Sequence, residues 1–175
     1  MKEVFSYVLN KKLVYTILAF IFLLLHFLCI SYSLKASSES AEVSSSVSEK
    51  VTEEVIEVIE AVDKDFTYDF DDMNTKVRKI VGHYGLFLVS AIFGVLSLIF
   101  FNFNLKITFS INVIMGFIYA SLSELMQLTS KGRSCEVKDI FIDYFGYLSG
   151  IIITCLIIML VYFGKIKKLR LNNKA

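Results

Sequence analysis

The stretch YASLSELMQLTSKGRSCEVKDIFIDYFGYLSG, residues 119–150, decides the architecture. It opens inside one apolar run, crosses a short polar loop, and closes inside a second run. Glu124, Gln127, Arg133, Asp139 and Asp143 lie where the two runs turn back towards each other. A carboxylate within a bilayer costs ~2.5–3.5 kcal/mol on insertion scales, so it usually marks a pathway, a partner or a site. Glu124 and Asp143 sit near the loop-facing ends of their runs, so the polar cluster is local in space.

Working outward, the apolar runs fall at 13–33, 80–101, 105–128 and 140–163, in a chain of 175 residues that is 55% hydrophobic and lacks proline. Mean hydropathy is +0.64, well above a soluble domain of this length. About 20 residues of helix cross a hydrocarbon core roughly 30 Å thick. The fold class expected is an all-α integral membrane protein, a single domain over 1–175 with four transmembrane helices. An outer serine-rich and acidic loop spans 34–79, and a cytoplasmic tail spans 164–175.

Basic residues set the expected orientation. Lys2, Lys11 and Lys12 precede the first run, Lys165, Lys167, Lys168, Arg170 and Lys174 follow the last, and Lys106 lies between runs two and three. Residues 34–79 carry six basic against twelve acidic residues. The positive-inside rule then places both termini in the cytoplasm and the acidic segment outside, in the cell membrane. The loop at 129–138 is outside with its three cations Lys131, Arg133 and Lys138, an arrangement suited to holding an anion. Run one is read as a retained helix, because its ~20 apolar residues exceed a signal h-region; cleavage after Ser33 is the alternative. Cys29, Cys135 and Cys155 have no ligand spacing and are read as free thiols, with a Cys29–Cys135 pair as the alternative.

Within the outer segment, 37–48 carries seven serines and reads as a flexible solvated stretch. Val51, Val55, Val58, Ile59 and Val62 then recur at helical spacing, with Ser46 and Glu49 resembling a capping box at the start. This short amphipathic helix either packs its valine stripe over the outer mouth of the bundle or is a solvated acidic spacer.

Periodicity puts polar and small residues on one face of each later run. Run two carries His83, Ser90, Gly94 and Ser97; run three carries Asn112, Gly116, Tyr119, Ser123 and Gln127; run four carries Asp139, Asp143, Gly146, Gly150 and Thr154. Gly146-x-x-x-Gly150 is a close-packing signal for helices in lipid. Packing explains the glycines but not the acids above them. The inner halves read as almost wholly apolar, which argues against a channel.

Four blocks then stand in order: Val77-Arg78-Lys79-Ile80-Val81-Gly82-His83-Tyr84, Ser123-Glu124-Leu125-Met126-Gln127, Gly132-Arg133, and Asp139-Ile140-Phe141-Ile142-Asp143-Tyr144-Phe145-Gly146 through Gly150. In this combination the chain resembles the VanZ-like family, over most of its length. It departs at Ser123, where the family often has aspartate, at Tyr84 in place of phenylalanine, and at Leu34-Lys35 where glutamine commonly follows the serines. The resemblance implies a four-helix protein of the bacterial cell envelope, in a family named for low-level teicoplanin-type glycopeptide resistance.

Two mechanisms follow. In the first, Arg78, Lys79 and Arg133 clamp a phosphate or carboxylate of a membrane lipid, a lipid-linked cell-wall precursor or a glycopeptide. Glu124 and Asp143 then pair with those cations and with His83, while Gln127 and Asp139 complete the ligand-binding set. In the second, the protein is a membrane-embedded hydrolase or transferase, with His83, Glu124 and Asp143 as the candidate catalytic residues at a lipid-linked headgroup. No resident cofactor or metal is expected in the first reading; the second admits a divalent cation among His83, Glu124 and Asp143. No nucleic-acid partner is expected, because the basic tail is a short membrane flank.

Overall fold

The computed structural model describes residues 2–39, 41–63, 67–132 and 135–172, with side chains over 11–39, 46–63, 67–132 and 135–164. The chain is helical, with no strand among the described residues. Helix α1 (Lys2–Ser38) is followed by α2 (Ala41–Val62) and α3 (Phe70–Val77). A π-helical segment (Arg78–Gly85) continues α3 into α4 (Leu86–Phe100), and α5 (Leu105–Gln127) and α6 (Val137–Asn172) complete the chain. Four helices are long and apolar enough to cross a membrane: Lys11–Ser38, Phe70–Phe100, Leu105–Gln127 and Val137–Gly164. The tail expected at 164–175 continues as helix to Asn172.

The bundle is a ring in which α4 lies between α1 and α6, and α5 closes it against α6 and α1. Its polarity runs opposite to that of a water-soluble bundle. Phe20, Leu24, Ile114, Phe145 and Leu160 are exposed, as lipid-facing side chains are, whereas Ser90, Thr108, Glu124 and Asp143 are fully buried. Phe87, Ala91, Val95, Ala120, Tyr147 and Ile151 make the apolar core among them.

Glycines set how closely α6 approaches. A Cβ on Gly146 would fall on the Tyr84 main chain, and one on Gly150 on the Leu88 carbonyl and the Ala91 side chain. The two glycines therefore let α6 meet the π-helical segment and α4 backbone to backbone, as small residues do in lipid. Between α4 and α5 the chain reverses through Asn102 in the left-handed region (φ 68°), and Asn104 caps α5 by accepting from the Ile107 N–H at 2.9 Å.

The segment between the first two membrane helices departs from expectation. The serine-rich stretch is not an irregular linker: α2 begins at Ala41, so Ser46 lies inside the helix and the Ser46–Glu49 capping box does not exist. Tertiary packing overrides the weak helix propensity of serine. Ser48, Thr52 and Ile56 form the buried line, while Val58 and Val62 are exposed. Thr52 Oγ1 lies 2.8 Å from the Ser48 carbonyl and 3.2 Å from Asn74 Oδ1, which docks α2 on α3 by a polar seam. Of the expected stripe, Val51, Val55 and Ile59 are half-buried, and Val58 and Val62 face away. Cys29, Cys135 and Cys155 are all free thiols, so the Cys29–Cys135 pair is not formed.

Candidate functional site

The π-helical segment carries three of the residues singled out from sequence. Each π turn widens the helix by about one residue, and such segments concentrate at functional sites. Here the segment presents Lys79 and His83 to the end of the bundle where α5 finishes and α6 starts, and Arg78 to the side of α1 and α2. Gly146, directly beneath, brings Asp143 of α6 close to it.

His83 is the centre of that end. Its Nδ1 stands 3.0 Å from Asp143 Oδ1, with the histidine nearly and the aspartate fully buried. With the proton on Nδ1, His83 donates. Asp143 Oδ2 has no hydrogen-bond partner of good geometry, although the Ser123 hydroxyl lies beside the carboxylate. Glu124, also fully buried, accepts from Gln127 Nε2 through Oε1 at 2.5 Å and from the Glu136 N–H through Oε2 at 3.0 Å. The loop between α5 and α6 is therefore folded back onto Glu124. One donor atom each from His83, Glu124 and Asp143 lies within 4.8 Å of the others.

The cations are distributed differently from expectation. Lys79 Nζ pairs with Asp139 at 2.9 Å and approaches Glu136 at 3.8 Å, at the more exposed edge. Glu124 bonds an amide and a main-chain N–H, and Asp143 bonds His83; neither takes Arg78 or Lys79 as its partner. Arg133 lies outside the described residues. Arg78 makes no ion pair among the described residues, and its Nε is buried without a hydrogen-bond partner. It lines a cavity of about 300 Å³ with His83, between the end of α1 (Tyr32, Ser33, Ser37, Glu39) and α2 (Ser48, Val51).

The sequence reading missed what α1 contributes. Ser37 Oγ lies 2.8 Å from Ser123 Oγ, and Ser130 Oγ donates to the Ser37 carbonyl at 3.0 Å, tying α1 to the site. It also missed a second polar cluster at mid-membrane. His26 Nδ1 is 2.9 Å from both the Ser90 carbonyl and Ser90 Oγ, and the Tyr147 hydroxyl donates to Asn112 Oδ1 at 3.2 Å. Gly94 makes room for it, since a Cβ there would meet Asn112, His26 and Tyr147. The bundle interior is therefore not wholly apolar at that depth. A histidine in the middle of an apolar run was the available signal.

Fold and site together define a small polytopic membrane protein with a buried acid–histidine cluster at one end of its bundle. No curated protein and no solved structure matches the chain. The VanZ/LLP1 family matches over residues 13–160, and the chain belongs to that family. The matched region spans all four apolar helices and every described site residue.

Proposed function

We propose that this VanZ-family membrane protein binds the anionic headgroup of an envelope lipid or lipid-linked surface precursor, in the cavity beside Arg78. The observation that carries the reading is Arg78: a half-buried cation without an ion pair among the described residues, in the wall of a cavity of about 300 Å³. Holding a guanidinium partly out of water without a counter-charge is costly, and an anionic ligand in the cavity would supply that counter-charge. A phosphate or carboxylate suits the guanidinium fork. Glu39 on the same wall favours a headgroup that also carries hydroxyl or amine donors. The topology that goes with this reading has both termini in the cytoplasm and the cavity at the outer face of the cell membrane. Glycopeptide resistance would then follow from sequestering or altering a surface precursor, a role suggested by the family and not by these residues.

A second reading, hydrolysis or transfer on the same headgroup, is favoured by the His83–Asp143 pair, which is also what an acid–base site would present. Lipid mass spectrometry on the purified protein tests the first. A phosphorylated lipid should co-purify with the wild type and fall ~10-fold or more in Arg78→Ala, since a hydrogen bond to a charged group is worth about 1.5–3 kcal/mol. Equal lipid in both proteins would reject it, and conversion of the lipid on incubation would move the case to the second reading.

A further inference from the structure

We infer that His83, Glu124 and Asp143 are the protein ligands of a divalent first-row metal ion, of the Mn²⁺ to Zn²⁺ range. Three observations carry this, and none depends on the headgroup reading.

The first is geometry. Donors about 2.1 Å from one ion are ~3.0 Å apart at a right angle and ~4.2–4.4 Å apart in trans. His83 Nδ1 and Asp143 Oδ1 stand at 3.0 Å, and the whole triangle lies within 4.8 Å. The 4.8 Å bound is only slightly wider than the trans separation, so the three donors converge on one point to within a side-chain adjustment.

The second is charge. Glu124 and Asp143 are both fully buried, and among the described residues the nearest ammonium, Lys79, is committed to Asp139. One histidine can balance at most one of the two carboxylates. A divalent ion with a neutral imidazole balances both, and turns a costly pair of like charges into a neutral centre.

The third is the pattern of hydrogen bonds. Among the described residues the fully buried Asp143 has no hydrogen-bond partner of good geometry on Oδ2, with only the Ser123 hydroxyl beside the carboxylate. Glu124, by contrast, is held from behind by Gln127 Nε2 and the Glu136 N–H, which leaves further lone pairs on both oxygens. Carboxylate ligands are commonly oriented by such outer hydrogen bonds. A His83–Asp143 hydrogen bond alone explains neither the poorly met Oδ2 nor the convergence of Glu124. One imidazole with two carboxylates selects against Ca²⁺ and Mg²⁺, which prefer oxygen alone, and suits Mn²⁺, Fe²⁺ or Zn²⁺.

The test uses the full chain in detergent. Metal retained after desalting is measured by plasma mass spectrometry; the protein is then stripped with EDTA and titrated with MnCl₂, ZnCl₂ or MgCl₂ alone, with melting temperature and Mn²⁺ magnetic resonance as readouts. Wild type should hold about one ion per chain from Mn²⁺ or Zn²⁺ and melt at a higher temperature when loaded. Asp143→Asn and Glu124→Gln should bind at least ~10-fold more weakly, as loss of a ligand or of its support does. Arg78→Ala should keep the metal while losing the lipid, so that failure of one idea is told from failure of the other. Should the variants fold poorly by circular dichroism, Co²⁺ added to stripped wild type supplies the answer by itself, through visible d–d bands that zinc displaces. Less than ~0.1 ion per chain without a melting shift or cobalt bands overturns the inference. So does metal binding that is unchanged in both variants.

Discussion

Replacing Gly146 by alanine isolates the contact that holds the π-helical segment against α6. A Cβ at this position would lie 2.9 Å from the Tyr84 Cα and closer still to the Tyr84 carbonyl oxygen. Those atoms are main chain, so no side-chain rotation relieves the overlap and the helices must separate. Overpacking of this kind costs about 1–3 kcal/mol, and a main-chain obstacle puts it at the upper end. Alanine in place of glycine in a helix returns roughly 1 kcal/mol. The net expectation is ~2 kcal/mol of destabilisation, a 30-fold shift in the folded-to-unfolded ratio. Gly164→Ala is the control, because nothing lies within 4 Å of a Cβ built there, so only the favourable helix contribution remains. Both proteins would be compared with wild type by denaturant unfolding in mixed micelles. Gly146→Ala as stable as Gly164→Ala would show that α6 does not approach the Tyr84 backbone, and the His83–Asp143 geometry would lose its support.

Two more outcomes are expected. In a background without native cysteines, Val62→Cys, at a position 87% exposed at the end of α2, should react with an impermeant thiol reagent in intact cells; protection would invert the topology and put the cavity on the cytoplasmic side. Asn112→Leu removes the acceptor of the buried Tyr147 hydroxyl and should cost ~1–3 kcal/mol of stability in the same unfolding assay, while the folded fraction keeps wild-type lipid and metal binding; altered binding would mean the two polar clusters act as one.

The four membrane helices were legible because length, apolar run and small-residue spacing all reflect the same constraint, the bilayer. The acidic end was legible for a related reason: Glu124, Asp139 and Asp143 are each out of place in an apolar helix, so each requires an explanation. Partner choice was not legible. Which cation meets which acid depends on rotamers and on the width of the π-helical segment, and nothing in RKIVGHYG announces a π turn. The α2 helix was misjudged at its start for another reason. Its serines have weak helix propensity, and the docking of Thr52 onto Asn74 of α3 is a tertiary contact that the local sequence does not announce. His26 was passed over because its run is otherwise uniformly apolar, so hydropathy alone marked that run as a plain anchor.

The two polar clusters test whether buried polarity in this bundle is structural or functional. At mid-membrane, His26 meets Ser90, Tyr147 meets Asn112, and Asn112 Nδ2 meets the Thr108 carbonyl at 2.9 Å. The first two pairs join different helices, of the kind that fixes register in lipid, and the third is a bond within α5. Thr108 Oγ1 alone among their hydroxyls lacks a partner, and an unmet hydroxyl is a modest cost. At the end of the bundle the unmet groups are of another order: a guanidinium N–H on Arg78 and a carboxylate oxygen on Asp143. An unmet hydroxyl is compatible with structural glue; unmet charged groups are not what glue alone would leave. The incompleteness lies on either side of His83, where the π-helical segment, the cavity and the acid–histidine triangle meet, and that meeting is what a site that receives charged ligands would require.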